Sequence, residues 1–110
     1  LKLSTLVAVL ISTLSSAQAF AANYRCFGYD EDSGKLVIFN VTQDEAAKEL
    51  RAEAYDYGVK IWGRYTSAEN SKTLKNRYGD IILVLTKTPE GVTADFTFSD
   101  RFDVNQAICN

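Results

Sequence analysis

Apolar and polar residues alternate with a period of two along much of this chain, and that period belongs to strands. Val92 to Phe98 is the clearest case, with Val92, Ala94, Phe96 and Phe98 on one side and Thr93, Asp95 and Thr97 on the other. Val59 to Thr66 alternates too. Val59, Ile61, Gly63 and Tyr65 share one face, and Lys60, Trp62 and Arg64 share the opposite one. Tyr24 to Tyr29 and Leu36 to Val41 read as strands from their aromatic and β-branched content, joined through a polar turn at residues 30–35. Ile81 to Lys87 is almost uniformly apolar, as a strand covered on both faces is. Thr88-Pro89-Glu90-Gly91 carries Pro and Gly where a type I turn takes them.

One stretch reads differently. Thr42 and Glu45 fit a capping box, and Ala46, Ala47, Leu50, Ala54 and Tyr57 fall on one helical stripe that ends at Gly58. The spacing predicts a helix from Thr42 to about Tyr57. The polar 67–80 segment reads as a long loop, with or without one helical turn, and the tail from Ser99 carries enough apolar residues to dock. The expected fold is α+β: a mainly antiparallel sheet of about five strands with one helix packed on it, in the order ββαβββ.

The start of the chain stands apart. Lys2 is its only charge before Arg25, and a short apolar run from Leu3 to Leu14 leads to Ala17-Gln18-Ala19-Phe20-Ala21. A basic end, a short apolar run and small residues at alternate positions are the pattern of a secretory signal peptide. Residues 1–21 are assigned to it, with cleavage after Ala21 and an alternative cut after Ala19. The apolar run is shorter than the roughly 20 residues that span a bilayer. The remainder, 22–110, is expected to be one small exported domain, periplasmic or extracellular, without a membrane span.

Export changes the reading of Cys26 and Cys109, the two cysteines of the chain. In an oxidising compartment such a pair is expected to form a disulfide, here stapling the two ends of the domain. A chain of 110 residues holds one core, and its net charge of −2 argues against nucleic acid as a partner. The chain has no His. That removes the commonest general base and metal ligand, so no catalytic constellation, metal site or cofactor is predicted. Asp30, Asp32 and Gly34 resemble the start of a calcium loop, but Gly34 and Lys35 stand where that template needs an oxygen ligand and a glycine.

Lys60, Trp62 and Arg64, with Tyr65 following, form the candidate binding set, because Trp and Arg are enriched at recognition hot spots. The competing reading has Trp62 plugging the second face of the sheet beneath the tail or the 67–80 segment. Tyr24-Arg25-Cys26 is similar to the opening of the membrane-associated type of bacterial lysozyme inhibitor, and Ser33-Gly34 to part of the Ser-Gly-x-x-Tyr loop of that family. Val37 stands at the Tyr position, and the expected helix does not suit an all-β barrel, so the family is not assigned. The leading expectation is a non-catalytic exported binding module, of inhibitor, immunity or accessory type, acting on another protein. Two alternatives are a small carboxylate-dependent hydrolase of polysaccharide, using acids such as Glu90 and Asp95, and an envelope component that self-associates through a sheet edge.

Overall fold

The period of two extends through the whole described chain and leaves no room for the helix. The computed structural model describes residues 21–110, and the leader assigned to residues 1–21 lies outside them except for its last residue. Eight strands follow one another: β1 Ala21–Tyr29, β2 Leu36–Asp44, β3 Glu49–Ala54, β4 Val59–Ser67, β5 Ser71–Lys75, β6 Ile81–Thr88, β7 Gly91–Phe98 and β8 Phe102–Cys109. Each pairs antiparallel with the next, and β8 returns to β1, so the sheet closes into an up-and-down barrel. The α+β expectation is therefore wrong, and a single 3-10 turn at Tyr55–Tyr57 is the nearest thing to its helix.

Local chemistry explains the correction. Leu50, Ala52 and Ala54 are buried while Arg51 between them is exposed, which is strand alternation in a segment rich in helix formers. Ala46 and Ala47, placed on the helical stripe, sit exposed in the β2–β3 turn. That turn is held by the Asp44 carboxylate, which accepts the Ala47 N–H at 3.0 Å, and by Lys48 at a φ of 56°. The Thr42 hydroxyl accepts no helix N–H as a cap would; it donates to Asn23 Oδ1 on β1, at 2.9 Å. Two smaller corrections follow. The 67–80 segment contains β5, whose one buried side chain is Leu74. β6 is buried on one face only, since a barrel has one interior: Leu83 and Leu85 are buried, and Val84 and Thr86 at the alternate positions are only partly covered.

Side chains fill the lumen, as they do in barrels of eight strands. Phe96 packs edge-on against Phe39 and Phe102, with ring centroids 5.0 and 4.9 Å apart, and Leu50, Leu74, Leu83 and Leu85 surround them. Tyr57 stacks edge-on against Phe102. The outer wall at β3 and β4 carries Arg51, Lys60 and Arg64 in mid-strand. On this wall an apolar inside with charges outside inverts the arrangement of a lipid-embedded barrel. Among the described residues no helix is long and apolar enough to cross a membrane.

β1 and β8 form the closing seam. The expected disulfide is present between Cys26 and Cys109, which lie directly opposite each other. Arg25 and Asn110 beside them exchange both backbone hydrogen bonds, at 3.0 and 2.9 Å. The cysteines therefore occupy a non-hydrogen-bonded pair, where side chains of opposed strands lie closest. Further along, β8 bulges at Gln106, whose φ is 59° and whose N–H is accepted by the Asp95 carboxylate at 2.7 Å. Beyond the bulge, contact with β1 resumes at an Asp30–Val104 bridge.

Candidate functional site

The outer face of β4 presents the residues singled out from sequence. Lys60, Trp62 and Arg64 all point away from the lumen and are exposed, Trp62 by 65%. Trp62 is therefore not a plug beneath the tail or the 67–80 segment. Tyr65 does not join them: it faces inward, 7% exposed, and the Lys72 ammonium lies 5.8 Å from its ring centre. On the β3 side, Glu53 stands opposite Lys60, Arg51 opposite Trp62 and Glu49 opposite Arg64. The charges alternate across the two strands, and the indole projects between the cations Lys60 and Arg64.

The other side of β4 is different. β5 pairs with it only at Tyr65–Leu74, Thr66–Thr73 and Ser67–Lys72, and its last residue, Lys75, comes level with Arg64, so the first five residues of β4 run past the end of β5. Asn76 causes this early stop. Its side-chain oxygen accepts the N–H groups of Tyr78 and Asp80 at 2.9 and 3.0 Å, and its own N–H donates to the Asp80 carbonyl at 2.9 Å. Gly79, at a φ of 87°, completes the turn. The β5–β6 turn thus spends its polar groups on itself instead of on β4. At its tip the Arg77 guanidinium lies 5.0 Å from the ring centre of Tyr78, which is 74% exposed. Between the unpaired part of β4 and the start of β6 lies an open depression of about 510 Å³, lined by Ile61, Ile81, Ile82 and Phe98 together with Asn76 and Asp80.

A second surface went unnoticed in the sequence. On the outside of the closing seam, Ile108, Phe27 and Ile38 fall in one cross-strand row, with Tyr29 and Leu36 paired beside them. Ile108 and Tyr29 are each 65% exposed. The signal was available: Phe27, Tyr29, Leu36 and Ile38 sit at the alternate positions that a strand with only one buried face would fill with polar residues.

The acids have structural employment. Asp30 is buried, and its carboxylate accepts the Ser33 hydroxyl at 2.6 Å and the N–H groups of Asp103 and Ser33 at 2.9 and 3.2 Å. The Ser33 hydroxyl foremost, then the Asp103 N–H, holds this carboxyl below its ordinary range, against the opposing effect of burial. The 30–35 segment is thus a turn organised inward around its first carboxylate, and among the described residues no cluster of acids is placed to hold a metal ion. Asp95 secures the β8 bulge, and Glu90 lies at the exposed tip of the β6–β7 turn. No family model matches this chain, and neither a curated protein nor a solved structure shows significant similarity to it.

Proposed function

We propose that the mature chain is an exported, non-catalytic module that acts by binding another protein, as an inhibitor or accessory factor does, through the outer face of β4. One observation carries the reading: an indole in mid-strand, 65% exposed and flanked by Lys60 and Arg64 on a barrel whose core does not need it. Large aromatic residues framed by cations are what binding hot spots are made of. The disulfide is compatible with an oxidising, exported compartment, periplasmic or extracellular.

Within that class an inhibitor of lysozyme is the first candidate to test. The likeness at Tyr24-Arg25-Cys26 implies an all-β barrel, and the helix that stood against it is absent. The departure at Val37 persists, and this residue is buried in the lumen, not displayed in a loop.

The test compares wild type with Trp62→Ala, first against purified lysozyme and then by affinity capture from the native envelope or medium. Melting of the variant should match wild type within about 0.5 kcal/mol, because the side chain is exposed. Its affinity for the partner should fall by about 2 kcal/mol or more. A partner that both proteins retain equally, or a variant that unfolds, refutes a recognition role for this face.

A further inference from the structure

We infer that the unpaired edge of β4 is a docking site for an extended acidic peptide segment of the partner, which adds a strand to the barrel wall beside Trp62. This rests on the reading of the β4 face as the binding surface and names what that face takes.

The Tyr65 N–H donates to the Lys48 carbonyl, on the β3 side. Peptide groups alternate along a strand, so those of Val59, Ile61 and Gly63 also face β3, and those of Lys60 and Trp62 face the other way. On that side the pairing with β5 ends at Tyr65. The N–H and C=O groups of Lys60 and Trp62 therefore form a free edge beside the depression that holds Ile61, Ile82 and Phe98.

Free edges are ordinarily blunted, and Lys60 and Arg64 by themselves are typical guards. A Trp exposed midway between them is the reverse of a guard. A second copy of this chain is a poor occupant, since antiparallel pairing about Trp62 sets Lys60 against Arg64 of the other molecule. Acidic side chains suit the edge instead. Lys60 and Arg64 flank it on β4, Lys75 ends β5, and Arg77 lies in the turn that follows. The acids Glu49 and Glu53 lie across β4, on β3, and Asp80, at the rim of the depression, accepts the Asn76 side-chain amide at 3.4 Å, so cations outnumber acids along the edge. The matching segment is acidic opposite Lys60, apolar opposite Ile61 so as to enter the depression, β-branched opposite Trp62, and acidic again at its far end, where it meets Lys75 and the Arg64 side chain. Strand addition supplies main-chain bonds for affinity, and the alternating side chains supply selectivity.

The probes are capped pentapeptides, Glu-Phe-Thr-Ile-Glu and its counterpart with Lys at both ends, titrated into the isotope-labelled mature protein and followed by NMR. The acidic peptide should bind at least about tenfold more tightly, with the difference shrinking as salt is added. The Lys60 and Trp62 amides should gain protection from exchange. N-methylation of the central Thr, whose amide meets β4, should weaken binding about tenfold or more, and methylation of the neighbouring Phe or Ile should not. Lys60→Glu combined with Arg64→Glu, at exposed positions, should reverse the preference. Failure of the acidic peptide to bind, equal binding of both, indifference to the methylated position, or tighter binding of heparin than of the acidic peptide overturns the inference. If the peptides fail while Trp62→Ala still abolishes partner binding, the β4 face stands as the binding surface and strand addition is discarded.

Discussion

Removing the bond between Cys26 and Cys109 is the most informative perturbation of the fold. The β1–β8 seam has a short ladder: Cys26–Cys109 and Phe27–Ile108 in register, the Arg25–Asn110 bonds beside them, and one bridge beyond the bulge. β1 and β2, by comparison, stay in register from Ala21–Asp44 to Tyr29–Leu36. The bond spans a sequence separation of 83. In the chain-entropy description, freeing a loop of that size returns about 15 cal/mol/K to the unfolded chain, or about 4.5 kcal/mol at 25 °C. Small domains have only about 5–15 kcal/mol in total. The Cys26→Ala, Cys109→Ala double variant should therefore melt about 20–35 °C below the oxidised protein, using 4–8 °C per kcal/mol for a domain of this length. Urea titration is the decisive assay. Because the constraint acts on the unfolded chain, its removal should steepen the dependence on urea as well as lower the midpoint, since a less restricted unfolded state exposes more surface. A loss below about 1 kcal/mol, or an unchanged slope, refutes the view that the bond works by restricting the unfolded chain.

Three further outcomes follow from single positions. A Cβ on Gly28 would overlap Val104 Cγ1 and lie 3.0 Å from the Ala107 Cβ, so Gly28→Ala should cost about 1–3 kcal/mol by urea unfolding; a neutral result means that β8 yields freely. Phe96 is fully buried between Phe39 and Phe102, and Phe96→Ala should cost about 3–5 kcal/mol by the same measurement. Asp30 titrates below its ordinary value of 3.8 in the folded protein, so its contribution is complete above that pH and is lost as pH falls through the lowered folded value. The gap in Tm between wild type and Asp30→Asn should accordingly be constant from pH 7 to about 5 and close at lower pH; a gap that persists unchanged at pH 2 refutes the role of the charged form.

The fold was legible where side-chain period and composition agreed. Val92 to Phe98 and Val59 to Thr66 alternate and carry β-branched or aromatic residues, and both are strands with the expected faces. From Thr42 to Tyr57 they disagreed. Glu49 to Ala54 alternates correctly but is built from Glu, Leu, Arg and Ala, which favour helices in isolation. Leu50 and Ala54 satisfy a helical stripe and a strand face equally well, since a spacing of four is even. Tertiary pairing decides between them, because β3 completes the wall between β2 and β4 at a cost in propensity smaller than that of an open sheet edge. β5 was hidden for a related reason. Its outward positions are polar, and Leu74 is its one buried residue, too short a pattern to register as a period.

The candidate site was legible residue by residue but not as an edge. Alternation alone put Lys60, Trp62 and Arg64 on one face, and the structure keeps them there. Tyr65 was the exception, and its parity with Ile61 already placed it on the inner face. What no local pattern could disclose is that β4 outlasts its neighbour. That depends on Asn76, whose side chain captures two N–H groups of the following turn and so ends β5 while β4 runs on. A single Asx turn on one strand thus creates the free main chain on another, at Lys60 and Trp62, far away in sequence. The two features are separable. Asn76→Ala leaves the Tyr78 and Asp80 N–H groups without their side-chain acceptor and frees the turn to extend along β4. If the free edge is what the partner reads, this substitution should weaken binding while Trp62 remains fully displayed, whereas a partner that reads only the indole and its cations will not register the change.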